Sequence, residues 1–316
     1  MNGSIGRVEA AEFLRDRYGR RARGVSPAGR GEWSVAYAFR CDKAEYVVRF
    51  GGEREDFEKD RLAGAYASPE LPIPRVVEVG ETLGGFYAVS ERAFGAHLET
   101  LDEPAMRAVL PSLFSALDAA RRADVSHTVG YGLWDAARAA PHPTWQGALL
   151  AVGDDSPTGR THGWRERLAS SPLGCGPFDE ALDCLHGLVA DCPGERHPTH
   201  NDLLNRNVFV ADGRIAAVID WGCAMYADFV YELAQLTFWA PWFPGLRRVD
   251  LAGEAERHYE TVGLHVSAFR ERLRAYEIHI GLVGAAYNAF RGRWDELEAT
   301  TRRMRTAVEA QAGAPT

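Results

Sequence analysis

His200, Asp202, Asn207 and Asp220 fall within one short stretch, "THNDLLNRNVFVADGRIAAVIDW". Asp202 and Asn207 stand as D-x-x-x-x-N, a spacing suited to phosphoryl transfer. In that chemistry the aspartate accepts or orients the proton of an attacking hydroxyl. The asparagine lends a neutral oxygen to Mg²⁺, and a second aspartate, here Asp220, lends a charged one. Mg²⁺ takes oxygen ligands and shares them with phosphate oxygens, so one Asn and one Asp make a sufficient protein contribution. The residue types alone also suit a metallohydrolase, with His197, His200, Asp202 and Asp220 around Zn²⁺ or Mn²⁺. That alternative leaves Asn207 and the N-terminal strands without a task.

Local structure must bring these groups together. "VFV" and "RIAAVI" read as strands, and the Asp212-Gly213 pair between them is a strong hairpin turn signal. Such a hairpin carries Asn207 to its entrance and Asp220 to its exit, at the same end. Upstream, "WSVAYAFR", "EYVVRF", "RVVEVG" and "GGFYAVS" have the β-branched and aromatic content of strands. "SPAGRGEWS" reads as a glycine-bearing turn feeding the first of them. "EDFEKDRLAGAYAS" reads as a helix stopped by the prolines of "SPELPIP". Residues 1–90 are thus predicted to form a helix, a small antiparallel sheet and one inserted helix. Residues 91–316 are predicted to be mainly helical, with helices over "LDEPAMRAVLPSLFSALDAARRA", "PFDEALDCLHGLVADC", "DFVYELAQLTFWAPW", "HVSAFRERLRAYEIHIGLVGAAYNAF" and "RWDELEATTRRMRTAVEAQ". Residues 127–162 lack a clear period and read as a long loop or insert. A β-rich lobe before a larger helical one makes an α+β, bilobal chain with any shared site in the cleft between.

Composition narrows the partners. The net charge of −8 over 316 residues disfavours nucleic acid and suits a cationic substrate. No apolar run is long enough for a membrane span and the N-terminus has no signal-peptide core, so the expected location is the cytoplasm. Five cysteines without a C-x-x-C pair argue against a disulfide framework or zinc knuckle, and are expected to be reduced core residues. Of 36 basic side chains only Lys43 and Lys59 are lysines.

The chain resembles the aminoglycoside and choline kinase-like phosphotransferases, relatives of the protein kinases. The resemblance rests on three motifs in order: H-x-D-x-x-x-x-N at His200 to Asn207, I-D-W at Ile219 to Trp221, and D-x-x-x-E-L-A at Asp228 to Ala234. "GRGEWSVAYAF", "LPIPRVVEVGE", "DCPGERH" and "FWAPW" are similar to segments of the hygromycin B phosphotransferases. The resemblance implies a protein-kinase-like fold and transfer of the ATP γ-phosphate, with Mg²⁺, to a hydroxyl of an aminoglycoside, conferring resistance. Kinases of the same fold for a macrolide, choline or a sugar are the alternative.

The same resemblance implies roles. Asp202 is the catalytic base, joined in the catalytic set by His200, which braces the backbone near the metal aspartate. Asn207 and Asp220 hold Mg²⁺. Gly31 and Ser34 cover the phosphates, and Ser90 to Arg92 meet adenine through backbone groups. Arg49 stands where a phosphate-contacting lysine is expected and keeps the charge in a forked form. Its acidic partner is Glu58 or Asp60, with Asp60 favoured. Asp228 is expected to hold the catalytic loop through backbone hydrogen bonds, or with Glu232 to receive substrate amines. Trp239 and Trp242 either stack on a sugar ring or pack the core; Tyr287 and Asn288 are placed to reach the cleft. The protein is expected to act as a monomer.

Overall fold

The computed structural model describes residues 5–31, 33–82 and 84–310. Glu32 of the predicted glycine-bearing turn, Leu83 of the predicted "GETLGG" turn, and Gln311 of the last predicted helix lie outside them. In chain order the regular elements begin with α1 (Arg7–Tyr18), β1 (Ala22–Arg30), β2 (Ser34–Cys41), β3 (Ala44–Gly51), α2 (Arg54–Ala63), β4 (Val76–Thr82) and β5 (Gly85–Glu91). There follow β6 (Ala96–His97), α3 (Glu103–Arg121), β7 (Gly132–Leu133), α4 (Trp145–Leu150), α5 (Trp164–Ala169), α6 (Gly176–Leu188), β8 (His197–Thr199), β9 (Val208–Ala211), β10 (Arg214–Val218) and β11 (Met225–Ala227). The chain closes with α7 (Val230–Trp239), α8 (Leu251–Thr261), α9 (Phe269–Arg291) and α10 (Trp294–Glu309).

Five strands form an antiparallel sheet in the order β1-β2-β3-β5-β4. Alternation splits its side chains between two faces. Val35, Tyr37, Phe39, Val48, Phe50, Tyr87 and Val89 form a small core with Ala10 and Leu14 of α1. The opposite face carries Ala36, Ala38, Val47, Arg49, Ala88 and Ser90, which lie opposite one another in register. Small residues flank Arg49 there, leaving its long side chain room.

β1 was hidden in the sequence. Gly24, Pro27 and Gly29 interrupt it, and its pairing with β2 shifts register twice, between Arg23 and Ser26 and between Pro27 and Gly29. It survives as a strand because it lies at the sheet edge, where a proline without an N–H breaks no ladder. The glycine-bearing turn therefore joins two strands rather than preceding the first. Residues 127–162 are likewise more ordered than a loop. They contain β7 and α4, and Gly130 at φ 75° lies so close to Ala140 that a Cβ would come within 2.0 Å of its carbonyl oxygen. α8 also went unpredicted; Asp250 starts it by accepting the Gly253 N–H at 3.0 Å.

The larger core gathers the helices from α3 onward, but it also takes Ala63, Tyr66 and Leu71 from the end of α2 and beyond. Core membership thus does not follow chain order, and α2 is anchored in the helical part. The Val218 N–H reinforces this by donating to Pro72 O at 2.8 Å. All five cysteines are free; Cys192 is buried in the larger core, Cys175 and Cys184 pack against it, Cys41 packs against the smaller one, and Cys223 is exposed, the single departure from the expectation of core residues. No helix among the described residues is long and apolar enough to cross a membrane.

Candidate active site

The β9–β10 hairpin turns at Asp212 (φ 51°) and Gly213 (φ 70°), both left-handed as an Asp-Gly turn requires. Val208 pairs with Val218, and the Ile219 N–H donates to Asn207 O at 2.9 Å. Asn207 and Asp220 consequently share one end of the hairpin. The Asn207 amide nitrogen donates to Asp202 O at 2.8 Å and to Asp202 Oδ2 at 3.1 Å. Asn205 adds a donation to the same Oδ2 at 3.2 Å. Two amides thus aim the Asp202 carboxylate. Burial pushes that carboxyl up to about 7, the nearby Asp220 charge adding to the rise while the two amides oppose it.

A group near 7 is suited to accept a proton at neutral pH. The value of kcat/KM for Mg·ATP reports the protein before nucleotide binds. It should fall as pH drops through about 7, because the ionised Asp202 is the working form. Glu232, also pushed up to about 7 by burial, titrates in the same range, so the acid limb belongs to the pair. A flat profile between pH 6 and pH 8 would contradict this assignment.

His200 is buried, and both ring nitrogens face backbone. Nε2 lies 2.7 Å from Ile219 O and donates to it, while Nδ1 accepts the Asp202 N–H at 3.2 Å. Burial lowers its pKa to about 4, so the ring is neutral and carries no proton to substrate. His200 therefore ties the Asp202 loop to the Asp220 strand. It braces and does not belong among catalytic groups.

Glu232 and Asp228 differ from the substrate contacts expected of them. Buried Glu232 accepts the His200 N–H, and the Asn201 N–H at 3.1 Å, so it holds the catalytic loop. Asp228 is wholly buried, pairs with Arg272, accepts from Tyr276, and accepts the Val230 N–H at the start of α7 at 3.1 Å. The loop-holding expected of Asp228 is carried by Glu232 one helical turn later. Neither carboxylate is open to an amine.

Arg49 extends from β3 into an ion pair with Asp60 of α2 and a second with Asp220, its Nη1 3.1 Å from Oδ1. Glu58 instead pairs with the exposed Arg54 and Arg61, at 3.3 and 2.7 Å. Helical periodicity decides between them: Asp60 faces inward and Glu58 outward. Asp60 also accepts the Trp221 N–H at 2.6 Å, so one carboxylate connects Arg49 with the Asp220 segment.

Of the other nucleotide-side residues, Gly31 donates its N–H to Ser34 O at 2.9 Å, which closes the turn and commits that amide. Ser90 sits inside the sheet between Val47 and Val76. The Arg92 N–H is committed to Glu45 O at 3.1 Å and its guanidinium to the Glu45 carboxylate at 2.7 Å, so this amide is not available to adenine. Arg92 and Phe94 instead line an open cleft of about 590 Å³ with Pro72, Ile73 and Pro74.

On the acceptor side, Trp239 and Trp242 lie 5.2 Å apart between ring centroids, and Trp242 is 43% exposed. Trp239 Nε1 donates to Gln235 Oε1 at 3.0 Å, and Gln235 Nε2 donates to Asn201 Oδ1 at 2.5 Å. This chain of amides links the aromatic pair to the catalytic loop; neither amide had a motif to announce it. The half-buried Tyr287 phenol is raised mainly by burial, and Cys223 and Asp202 are close enough to add to it. Asn288, expected at the cleft, is buried and donates to Thr300 Oγ1 at 3.2 Å.

The donor set fits Mg²⁺. Asn207 uses its nitrogen on Asp202, which leaves its carbonyl oxygen for a cation, and Asp220 is a half-exposed carboxylate beside it. The metallohydrolase set is not assembled. Both His200 nitrogens are engaged, His197 Nδ1 lies 2.7 Å from Arg121 O, and the described residues contain no group of three or more His, Cys, Asp or Glu able to hold a metal.

Comparison with known proteins gives the family and the fold. Residues 25–265 match the family described as "Phosphotransferase enzyme family". Hygromycin-B 4-O-kinase from Escherichia coli is 34% identical over 285 residues, covering 90% of this chain and 80% of that protein. The crystal structure of a thermostable mutant of aminoglycoside phosphotransferase APH(4)-Ia, in ternary complex with AMP-PNP and hygromycin B, superposes with a TM-score of 0.83. The two are 31% identical, and the match covers 96% of this chain and 99% of that one. Spectinomycin phosphotransferase APH(9)-Ia shares the fold, with a TM-score of 0.64 at 13% identity over 96% of this chain and 98% of that one.

Proposed function

The chain belongs to the phosphotransferase enzyme family, and on that footing we propose that it transfers the γ-phosphoryl group of ATP to a hydroxyl of hygromycin B. The observation that carries the reading is the meeting of Asp202, Asn207, Asp220 and Arg49 at one point. Around it, likeness to an aminoglycoside kinase extends over most of the chain.

Asp202 takes the acceptor hydroxyl, orients it toward the γ-phosphate and receives its proton as the new O–P bond forms and the bond from the γ-phosphorus to the β,γ-bridging oxygen breaks, ADP leaving with the bridging oxygen. Its elevated pKa matches that task at neutral pH. Arg49 contacts phosphate oxygens, and Asp60 keeps its fork directed inward. Asn207 and Asp220 would hold Mg²⁺, which would supply neutralisation of charge on the phosphates. Glu232, His200 and Gln235 keep the loop rigid, so the hydroxyl and phosphate meet in a fixed geometry. Positioning and electrostatics provide most of the rate in such transfers. The Trp239–Trp242 pair offers an aromatic face for the antibiotic's rings, Tyr287 stands on the side of Cys223 and Asp202, and the −8 net charge favours the antibiotic's amines.

ADP release by the purified protein with Mg·ATP tests the proposal across hygromycin B, kanamycin, choline and a macrolide. Turnover with hygromycin B and with none of the other three is expected, together with hygromycin resistance in cells that express the chain. Turnover with choline or the macrolide instead would keep the kinase reading and overturn the substrate.

A further inference from the structure

Lys59, one of the chain's two lysines, has no part in the phosphate chemistry above, yet it is only 3% exposed. An ammonium is seldom buried without partners that repay its lost hydration. Here Nζ donates to Gly222 O at 2.6 Å and to Ala224 O at 3.3 Å, and stands 5.1 Å above the Trp134 ring. Trp134 is itself fully buried and stacks on Tyr226 of β11.

Both carbonyls belong to the turn that follows Asp220. The next residue on the same helix, Asp60, accepts the N–H of Trp221 at 2.6 Å. Consecutive residues of α2 therefore grip one turn from both ends, a carboxylate on its N–H side and an ammonium on its C=O side. The turn begins at Asp220, whose φ of 63° and ψ of 64° lie in the left-handed region that side chains other than glycine rarely adopt. A backbone in that region persists where its surroundings over-determine it. α2 can act as the fixed point because its far end is embedded in the larger core through Ala63.

We propose that Lys59 is a positioning residue that holds the turn after Asp220, and through it keeps the Asp220 carboxylate aimed at the metal·nucleotide complex. The inference rests on the reading of Asp220 as a Mg²⁺ ligand. It assigns the lysine a task separate from that of Arg49: Arg49 meets phosphate, whereas Lys59 donates to two backbone carbonyls and stands over a ring.

The test is calorimetric titration of ADP into Lys59→Met, with and without Mg²⁺, alongside kinetics and a thermal melt. Methionine keeps the stem's bulk and removes the donors. The expected result is about a tenfold or greater loss of the Mg²⁺-dependent gain in ADP affinity, with metal-free ADP binding and hygromycin B binding unchanged. The Mg²⁺ concentration for half-maximal turnover rises in parallel, and Lys59→Arg restores part of it. If Lys59→Met does not fold, Lys59→Gln, which retains a donor for one carbonyl, carries the same measurement. A wild-type Mg²⁺ effect in a folded variant overturns the proposal, as does a uniform loss of all affinities together with melting temperature. Loss of the Mg²⁺ effect in the variant of a protein that does not phosphorylate hygromycin B would sustain the role of Lys59 and overturn the substrate instead.

Discussion

Asp202→Ala is expected to lower turnover with hygromycin B by about 10²–10⁴-fold, the range that a positioned general base contributes. Nothing nearby can take over. His200 has both nitrogens committed to backbone and is neutral, and Glu232 is buried behind the loop and bound to its amides. Binding should survive, because Asn207 and Asp220 remain and the removed carboxylate stands close enough to Asp220 to raise its own pKa through repulsion. Single-turnover kinetics and a separate ATP titration distinguish the two quantities. Residual turnover above a tenth of wild type would remove Asp202 from the mechanism.

The same residue should show the opposite sign in stability. Its folded pKa lies above the value of a free aspartate, so the ionised form disfavours the fold, fully above pH 7 and not at all below about pH 4. Asp202→Asn should therefore melt higher than wild type at pH 8 and equally at pH 4. An active site here trades stability for chemistry.

Arg272→Met is expected to cause the largest stability loss. Asp228 is 0% and Arg272 2% exposed, and the guanidinium meets both carboxylate oxygens, Nε at 2.8 Å and Nη2 at 2.5 Å. Removing one partner of such a buried pair costs about 3–5 kcal/mol, because the remaining charge is left without water or counter-ion. For a chain of this size that lowers the melting temperature by roughly 5–8 °C. Tyr276 still donates to Asp228 in the variant, which limits the loss without replacing the charge. The double variant Asp228→Asn, Arg272→Met should recover most of it, since the stranded charge is gone. Thermal denaturation of the three proteins checks this, and a single variant melting within 2 °C of wild type would contradict it.

The consequences extend to the site. Asp228 accepts the first N–H of α7, and α7 carries Glu232 against the backbone of His200 and Asn201. An acidic residue far from substrate therefore supports catalysis through a helix end.

The convergence of the polar residues in the central stretch was legible in the sequence. Asp202, Asn207 and Asp220 are brought together by a short hairpin whose Asp-Gly turn and alternating strands are local features, and local features are readable in one dimension. The long helices and four of the five strands of the N-terminal sheet were legible for the same reason. The rest depends on contacts between segments distant in the chain. Edge position made β1 tolerable despite two glycines and a proline, and an edge is a property of the whole sheet. The separate tasks of Glu232 and Asp228 follow from which helix stands opposite each, and Lys59 acquired partners more than 160 positions away. Polar residues of one type look alike in a sequence; their roles diverge when burial removes water and leaves each charge to the partner the fold provides.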